Sequence, residues 1–141
     1  MFDFDEKFFI DFEYTHAQVD SFLKAARKDI VVAKRYDSPE VAFQFTYNAL
    51  IKIGISLIAV NKKKVKSRVG HHVIIIEALD KIIVNVDIYT TGNKMRKKRN
   101  TDLYDGGVLI PKKEADEYLK WIEDVFGKAE SYLKKKLNKM L

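Results

Sequence analysis

Residues 96–107, RKKRNTDLYDGG, combine groups that can bind a phosphate and an attached base. Arg96 and Arg99 carry guanidinium groups, which hold a phosphate in a bidentate fork where lysine offers only a point charge. Asn100 can bind a hydroxyl or a base edge, and Tyr104 can stack on a base or donate a hydrogen bond. On a helix, the two arginines and Asn100 share one face, and Tyr104 follows Asn100 by four residues. The spacing therefore predicts a phosphate-plus-base site near one helix end.

The same segment also allows a structural interpretation, which the residues alone leave open. Tyr104 would then close the helix, Arg99 would pair with an acid elsewhere in the fold, and Asn100 would cap the helix end. Lys97 and Lys98 lie between the arginines and are predicted phosphate contacts in the first interpretation.

Two further candidates, His71 and His72, follow Gly70 at a predicted helix start. There one imidazole can cap or pack, or it can contact a phosphate. We predict a structural or phosphate-contacting role for the pair, with catalysis as the alternative.

The net charge of +6 is unevenly distributed. Residues 1–14 carry −4, so the remaining 127 residues carry +10, which is the total of +6 less the −4 of this segment. The cations cluster at 62–68, 94–99 and 134–139, the kind of grouping that attracts polyphosphate. The first and third clusters are also typical of solvated lysine-rich helix faces, whereas 94–99 contains both arginines.

Composition and missing motifs exclude most other chemistries. The chain has 141 residues, 47% of them hydrophobic, which suits one domain with a single core. It has no cysteine and only three histidines without a metal-binding spacing, and it has no glycine-rich phosphate loop or nucleophile elbow. We therefore expect no metal and no cofactor.

The N-terminus and the apolar runs predict the location. Residues 1–10, MFDFDEKFFI, are acidic, which is the opposite of the cationic start of a signal peptide. The apolar run at 49–60 is too short for the roughly 20 residues of a membrane span. We expect a cytoplasmic protein without membrane contact.

Apolar periodicity predicts two helices in the first half of the chain. The first covers residues 16–36 with Thr15 as its N-cap, and the second starts at Ser38-Pro39 and ends near Asn61. The second is apolar on nearly every side, so it should form the buried centre. Gly54 within it costs about 1 kcal/mol of helix propensity, which predicts a close helix–helix approach at that point.

The second half predicts a basic connector at 61–70, a third helix that starts near 71, and a last long helix that starts near Pro111. Residues 86–104 form either the far part of the third helix or a second short helix after a break. Together these elements predict an all-α fold, an antiparallel bundle of four to five helices over 16–141.

Residues 1–15 form a separate N-terminal arm with six aromatic residues in its first 14 positions. The alternation between Ile10 and Tyr14 is strand-like. Exposure of six aromatic side chains to water is unfavourable, so the arm should pack on the bundle or on a partner subunit.

The order of these features resembles the HEPN family (higher eukaryotes and prokaryotes nucleotide-binding domains), whose members are small all-helical bundles. The resemblance spans roughly residues 16–137. It rests on the first amphipathic helix, the central helix VAFQFTYNALIKIGISLIAV, the Gly70-His71-His72 start of the next, and MRKKRNTDLYDGG ahead of a long last helix. Its most specific feature is Arg-Asn followed by three residues and Tyr before a turn.

The resemblance implies a homodimer in which a motif of Arg, a polar residue, a short spacer and His from each chain meets across a groove. Many members are metal-independent endoribonucleases, often toxins or antiphage effectors, and some work beside a nucleotidyltransferase that acts as antitoxin. The implied function is an RNA- or nucleotide-directed protein, a metal-independent endoribonuclease of a prokaryotic toxin–antitoxin or defence system. The alternative is a non-catalytic module that binds nucleotide or RNA or docks a nucleotidyltransferase partner.

Arg99 matches the motif arginine and Asn100 the polar residue, but Tyr104 stands where the family has histidine. Histidine, with a pKa near 6.5, can deprotonate the ribose 2′-hydroxyl, whereas tyrosine, with a pKa near 10, is poorly suited. If cleavage occurs, Arg99 and Arg96 hold the scissile phosphate, Asn100 positions it and Tyr104 hydrogen-bonds or stacks. A high rate then requires a histidine such as His71 or His72 to reach the site.

Overall fold

The computed structural model describes residues 3–67, 70–84, 86–104 and 110–139, with the backbone alone at 102–104 and 139. In this part of the chain five helices pack around one core, and a short two-stranded sheet lies beside them. This arrangement confirms the predicted all-α bundle. The elements are α1 (His16–Arg35), α2 (Pro39–Val60), α3 (His71–Ile82), α4 (Ile88–Tyr104), α5 (Lys112–Lys139), β1 (Phe9–Asp11) and β2 (Lys63–Val65).

The helix starts follow the local sequence signals. The Thr15 hydroxyl accepts the backbone N–H of Gln18, and the Gln18 side chain accepts the backbone N–H of Thr15, which completes a capping box at the start of α1. Ser38 caps α2 in the same way through the backbone N–H of Val41, and proline occupies the first turn. The predicted bounds of both helices are confirmed to within one residue.

Helix α2 is the centre of the bundle and contacts each of the other helices. It is long and apolar enough to cross a membrane, but 67% of its most apolar window is buried inside the fold. Its apolar side chains face protein on nearly all sides, as the sequence predicted for a central helix.

Two glycines allow other helices to approach α2 closely. A Cβ added to Gly54 would lie 2.4 Å from Cγ2 of Ile75 on α3, which confirms the predicted close approach. A Cβ added to Gly92 would lie 2.9 Å from Cγ2 of Ile76 on α3 and 3.4 Å from Cδ2 of Leu50 on α2. The absence of a side chain at Gly92 therefore allows α4 to pack closely against α2 and α3.

The segment 86–104 is a helix separate from α3, so the second of the two predicted alternatives holds. The helical pattern stops at Ile82, ahead of Gly92, and α4 then runs for 17 residues. It is therefore longer than the short helix expected. Glycine is unfavourable inside a helix, but position 92 tolerates it because a side chain there would collide with Ile76 on α3.

The N-terminal arm packs on the bundle through the connector at 61–70, which contains a strand that the sequence did not reveal. Strands β1 and β2 pair antiparallel, with Phe9 opposite Val65 and Asp11 opposite Lys63. Phe9 is buried, and Lys63 forms an ion pair with Asp11. The acidic arm thus neutralises part of the first basic cluster, at 62–68.

Candidate phosphate-binding site

Helix α4 positions the two arginines beside the core. Gly92 and Met95 are buried, and Arg96 and Arg99 follow them by four residues each. Because residues four apart lie on the same side of a helix, both arginines continue the buried stripe and are themselves half-buried. Lys97 points away and is exposed.

Arg99 contacts a side chain of α2, which in turn contacts α3. The Arg99 guanidinium lies over the ring of Tyr47 on α2, with Cζ 5.6 Å from the ring centroid. The Tyr47 hydroxyl is 2.9 Å from Nδ1 of His72 on α3, and the His72 ring lies edge-on to His71, with centroids 4.8 Å apart. We call Tyr47, His71, His72, Arg96 and Arg99 the arginine–histidine cluster.

Burial and neighbouring groups shift the pKa values of two members of this cluster, His72 and Tyr47. Burial, followed by the Coulombic effects of His71, Arg99 and Arg96, lowers the pKa of His72 to about 4. Burial raises the pKa of Tyr47 to about 12, although Arg99 and Arg96 act in the opposite direction. At neutral pH His72 is therefore an uncharged imidazole and Tyr47 an intact phenol, and the guanidinium groups supply the positive charge.

Neither guanidinium forms an ion pair with an acid among the side chains that the structure describes. Nε of Arg96 donates instead to the neutral side-chain oxygen of Asn93, at 3.2 Å. The structural interpretation of Arg99 requires an acid partner, and none is found in this described part. Two neighbouring, partly desolvated cations with no counter-charge among the described side chains are suited to bind an anion.

The start of α3 adds to the positive potential. Gly70 precedes the helix with a φ of 81°, a left-handed conformation that favours glycine. The positive end of the α3 dipole lies at His71 and His72, the first two residues of the helix. Glycine at the preceding position has no side chain that could cap the first turn and offset this potential. The backbone and the arginines therefore attract the same kind of ligand.

Of the remaining predicted site residues, Asn100 is half-buried in the last turns of α4. Tyr104 is the last residue of that helix. Its side chain lies outside the described residues, so the predicted contact of Tyr104 with a base stays a prediction.

Lys98 was predicted to contact phosphate, and the structure places it in an ion pair that joins α4 to α5. Its Nζ is 2.8 Å from Oε1 of Glu114, and both side chains are about one quarter exposed, at 23% and 26%. The Tyr118 hydroxyl donates to the same carboxylate at 3.2 Å. The hydrogen bond from Lys98 is the largest of the influences that lower the pKa of Glu114. Glu114 lies in the first turn of α5, so this contact ties the start of α5 to α4.

Replacing Glu114 by glutamine is expected to lower the free energy of unfolding by about 1 kcal/mol at neutral pH, because Lys98 loses its charged partner in a partly desolvated place. Glu117→Gln is the matched control, since it removes the same charge from an exposed position on the same helix. Chemical denaturation of both variants tests the expectation. Equal losses in the two would show that the Lys98–Glu114 pair contributes nothing of its own.

No protein-family model, curated protein or solved structure matches this chain. The chemistry of the arginine–histidine cluster therefore carries the functional assignment. In the described residues no group of three or more His, Cys, Asp or Glu side chains is placed to hold a metal ion. The cluster instead offers cationic donors and a neutral imidazole, which are groups that bind anions.

Tyr47 is the one member of the cluster that the sequence did not reveal. It sits in the most apolar helix and is fully buried, and its pattern is that of a core residue. The only signal was chemical: a buried tyrosine hydroxyl needs a hydrogen-bond partner, and that partner is His72, 25 residues further along the chain.

Proposed function

We propose that this chain is an RNA-directed protein of the HEPN type, in which the arginine–histidine cluster binds an RNA phosphodiester and cleaves it without a metal cofactor. The observation that supports this most directly is the juxtaposition of Arg96 and Arg99 with His72. Two guanidinium groups without an acid partner in the described part of the chain lie beside an imidazole that is uncharged at neutral pH.

The arginines account for binding and for electrostatic stabilisation of the reaction. Arg99 and Arg96 orient the phosphodiester through charge-assisted hydrogen bonds. The same donors stabilise the extra negative charge that accumulates on the phosphate oxygens when phosphorus becomes pentacoordinate. Asn100, next to Arg99 in the chain, would position the ribose or the phosphate.

In the HEPN family the motif histidine is suited to act as the base, but Tyr104 stands at that position in this chain. We assign the role of base to His72 instead. In the tautomer that this role requires, Nδ1–H donates to the Tyr47 hydroxyl, and the unprotonated Nε2 is the ring nitrogen through which His72 would contact RNA. The ribose 2′-hydroxyl gives its proton to Nε2, and its oxygen forms a bond to the adjacent phosphorus. The bond from phosphorus to the 5′-oxygen breaks, and that oxygen takes a proton from water. The products are a 2′,3′-cyclic phosphate and a 5′-hydroxyl.

The second candidate function is a binding module without turnover, and one observation favours it. An imidazole with a pKa of about 4 is a weak base, and Tyr104 offers no better one at the motif position. In this case the cluster would hold RNA or a nucleotide, or it would form part of a surface that docks a nucleotidyltransferase-type antitoxin.

The setting follows from the same resemblance. We place the protein in the cytoplasm, as a homodimer whose two clusters face one groove, in a toxin–antitoxin or defence system. Lys97 is exposed on α4 and would contact RNA backbone beside the cluster, with a smaller and salt-dependent contribution.

Cleavage of total RNA and of defined tRNAs in the presence of EDTA tests the proposal. The wild type is expected to produce fragments with 2′,3′-cyclic phosphate ends. Arg99→Ala should reduce the rate by about 100-fold or more, which is typical of the loss of one donor to a developing oxyanion. Lys128→Ala is the control, because it removes the same charge from an exposed position on α5 and should leave the rate unchanged.

The outcomes separate the candidates. Intact RNA combined with binding that weakens steeply as salt is added, and weakens further in Arg99→Ala, would replace the nuclease by the binding module. Absence of both cleavage and RNA binding in the wild type would reject the nuclease and the RNA-binding form of the second candidate. Circular dichroism of Arg99→Ala confirms that the variant is folded, since its guanidinium also packs on Tyr47.

A further inference from the structure

His72 is surrounded by groups that are neutral or positive. Tyr47 approaches it from α2, His71 adjoins it on α3, and Arg96 and Arg99 approach from α4. No carboxylate among the described side chains contributes to its ionisation. Without a bound anion, burial and the neighbouring groups on α3 and α4 therefore oppose a positive charge on the ring.

We propose that the phosphate and a proton bind together: the anion enters between the arginines, His72 takes up a proton as it does so, and Tyr47 is the positioning residue for the protonated ring. This inference rests on the proposed function, from which it takes the phosphate and its contact with Arg96 and Arg99.

The electrostatic argument follows from the contacts. Part of what holds His72 uncharged is repulsion by His71, Arg99 and Arg96, each of which lowers its pKa. A phosphate anion held by the guanidinium groups reverses the sign of the local potential at the ring. The remaining cost, which is burial, is offset by a charge-assisted hydrogen bond from Nε2–H to a phosphate oxygen. Protonation that is unfavourable in the empty site is thus favoured in the occupied one.

Tyr47 determines how the ring carries this proton. A protonated imidazole has two N–H donors, and one of them, on Nδ1, meets the Tyr47 hydroxyl at 2.9 Å. The phenol remains protonated because its pKa is about 12, so its oxygen accepts this hydrogen bond and cannot take the proton itself. The second donor, on Nε2, is then directed at the phosphate.

Proton coupling gives the site a cycle that fits cleavage as well as binding. When the bound strand has a 2′-hydroxyl, the proton that His72 takes up is the one that this hydroxyl gives away, whereas a strand without it leaves the medium as the source of the proton. After cleavage the ring holds that proton beside the product phosphate, which stabilises the protonated form. Departure of the product restores the repulsion and expels the proton, so the base is regenerated without a separate step.

Isothermal titration calorimetry with a short 2′-O-methyl oligoribonucleotide, which has no 2′-hydroxyl to react, tests the proposal. The titration is carried out at about pH 5.5, which lies between the pKa of an ordinary histidine and the pKa of His72 without a bound anion. It is repeated in buffers that differ in ionisation enthalpy. The slope of observed enthalpy against buffer enthalpy gives the number of protons taken up. We expect a slope near one proton per site for the wild type, and affinity that rises up to about tenfold per pH unit as the pH falls.

Two variants assign this proton. His72→Asn keeps a side chain that can hydrogen-bond the Tyr47 hydroxyl but cannot be protonated, so the slope should fall to near zero while binding persists. Tyr47→Phe removes only the hydroxyl and should reduce the slope and flatten the pH dependence. Nitrogen NMR of the histidine rings, with and without the oligonucleotide, reports the protonation of His72 in the unaltered protein, and so does not depend on either variant folding.

Each result has one meaning. Absence of oligonucleotide binding to the wild type would overturn the proposed function and this inference with it. Binding with no dependence on the buffer would overturn proton coupling alone and leave the proposed function standing. Proton uptake that persists in His72→Asn would assign the proton to another group, of which His71 is the neighbour to examine.

Discussion

Replacing Gly54 by alanine is expected to lower the free energy of unfolding by about 2 kcal/mol, although alanine is the better helix former by about 1 kcal/mol. The added methyl would lie 2.4 Å from Cγ2 of Ile75, which is well inside van der Waals contact. Ile75 is buried and β-branched, so its χ1 cannot rotate freely on a helix. The overlap can be relieved only if α3 moves away from α2, and this movement would loosen the packing behind His72.

The same substitution at Gly127 is the matched control. Gly127 also lies inside a long helix, α5, but a Cβ there meets nothing within 4 Å. Gly127→Ala should therefore raise the free energy of unfolding by about 1 kcal/mol through helix propensity alone. Chemical denaturation of both variants gives a comparison in which the chemical change is identical and only the packing differs.

A second substitution shows whether the Ile75 methyl is the cause. Ile75→Leu keeps the volume of the side chain but removes the branch at Cβ, and by itself should cost less than about 1.5 kcal/mol. In the Gly54→Ala background it should recover most of the loss, so the two substitutions should be coupled by about 1 kcal/mol or more. If their effects simply add, the contact between Gly54 and Ile75 is not the origin of the instability.

The fold could be predicted because its signals are local. Capping residues such as Thr15 and Ser38 mark helix starts within a few residues of the helices they cap. Gly54, in an otherwise apolar helix, correctly predicted a close approach, because few other roles repay a glycine there. By contrast, the strand β2 went unrecognised, since three residues form it only through pairing with β1, more than 50 positions away.

The candidate site was predictable only in part, for the same reason. Arg96 and Arg99 are close in sequence, and their types and spacing indicated phosphate binding directly. Their relation to His72 depends on how α3, α4 and α2 meet, and no local pattern encodes this. Tyr47 contacts both His72 and Arg99, yet its position in an apolar helix is that of an ordinary core residue.

The role as a base that we propose for His72 has a consequence for stability in acid. An imidazole kept unprotonated by burial and by neighbouring arginines is available as a base at neutral pH. In an acidic medium it becomes protonated, and the charged form is unfavourable in these surroundings. The protein therefore carries at this position a group whose protonation opposes the folded state. Such conflicts between stability and local chemistry are typical of functional sites.

The stability of the wild type should consequently fall by about 2 kcal/mol more than that of His72→Asn as the pH is lowered from 7 to 4. The folded-state pKa of His72 is about 4 and lies below the 6.5 of an unfolded chain, so between these values the unfolded state binds the additional proton. The stability that the folded protein gains by keeping His72 uncharged is fully present above pH 6.5. It is lost as the pH falls toward the pKa of His72 in the folded protein. The full shift would correspond to about 3 kcal/mol, which we reduce because the half-buried ring is partly screened by solvent.

Urea denaturation of both proteins at several pH values in this window measures the difference. Carboxylates such as Glu114, whose pKa is lowered by the contact with Lys98, also lose stabilising charge in acid. They do so equally in the two proteins, so the difference between wild type and His72→Asn isolates the histidine. A parallel pH dependence in both would mean that His72 is protonated as easily in the folded chain as in the unfolded one. The arginines would then not act on His72, and the shared cluster on which binding and proton uptake depend would lose its electrostatic basis.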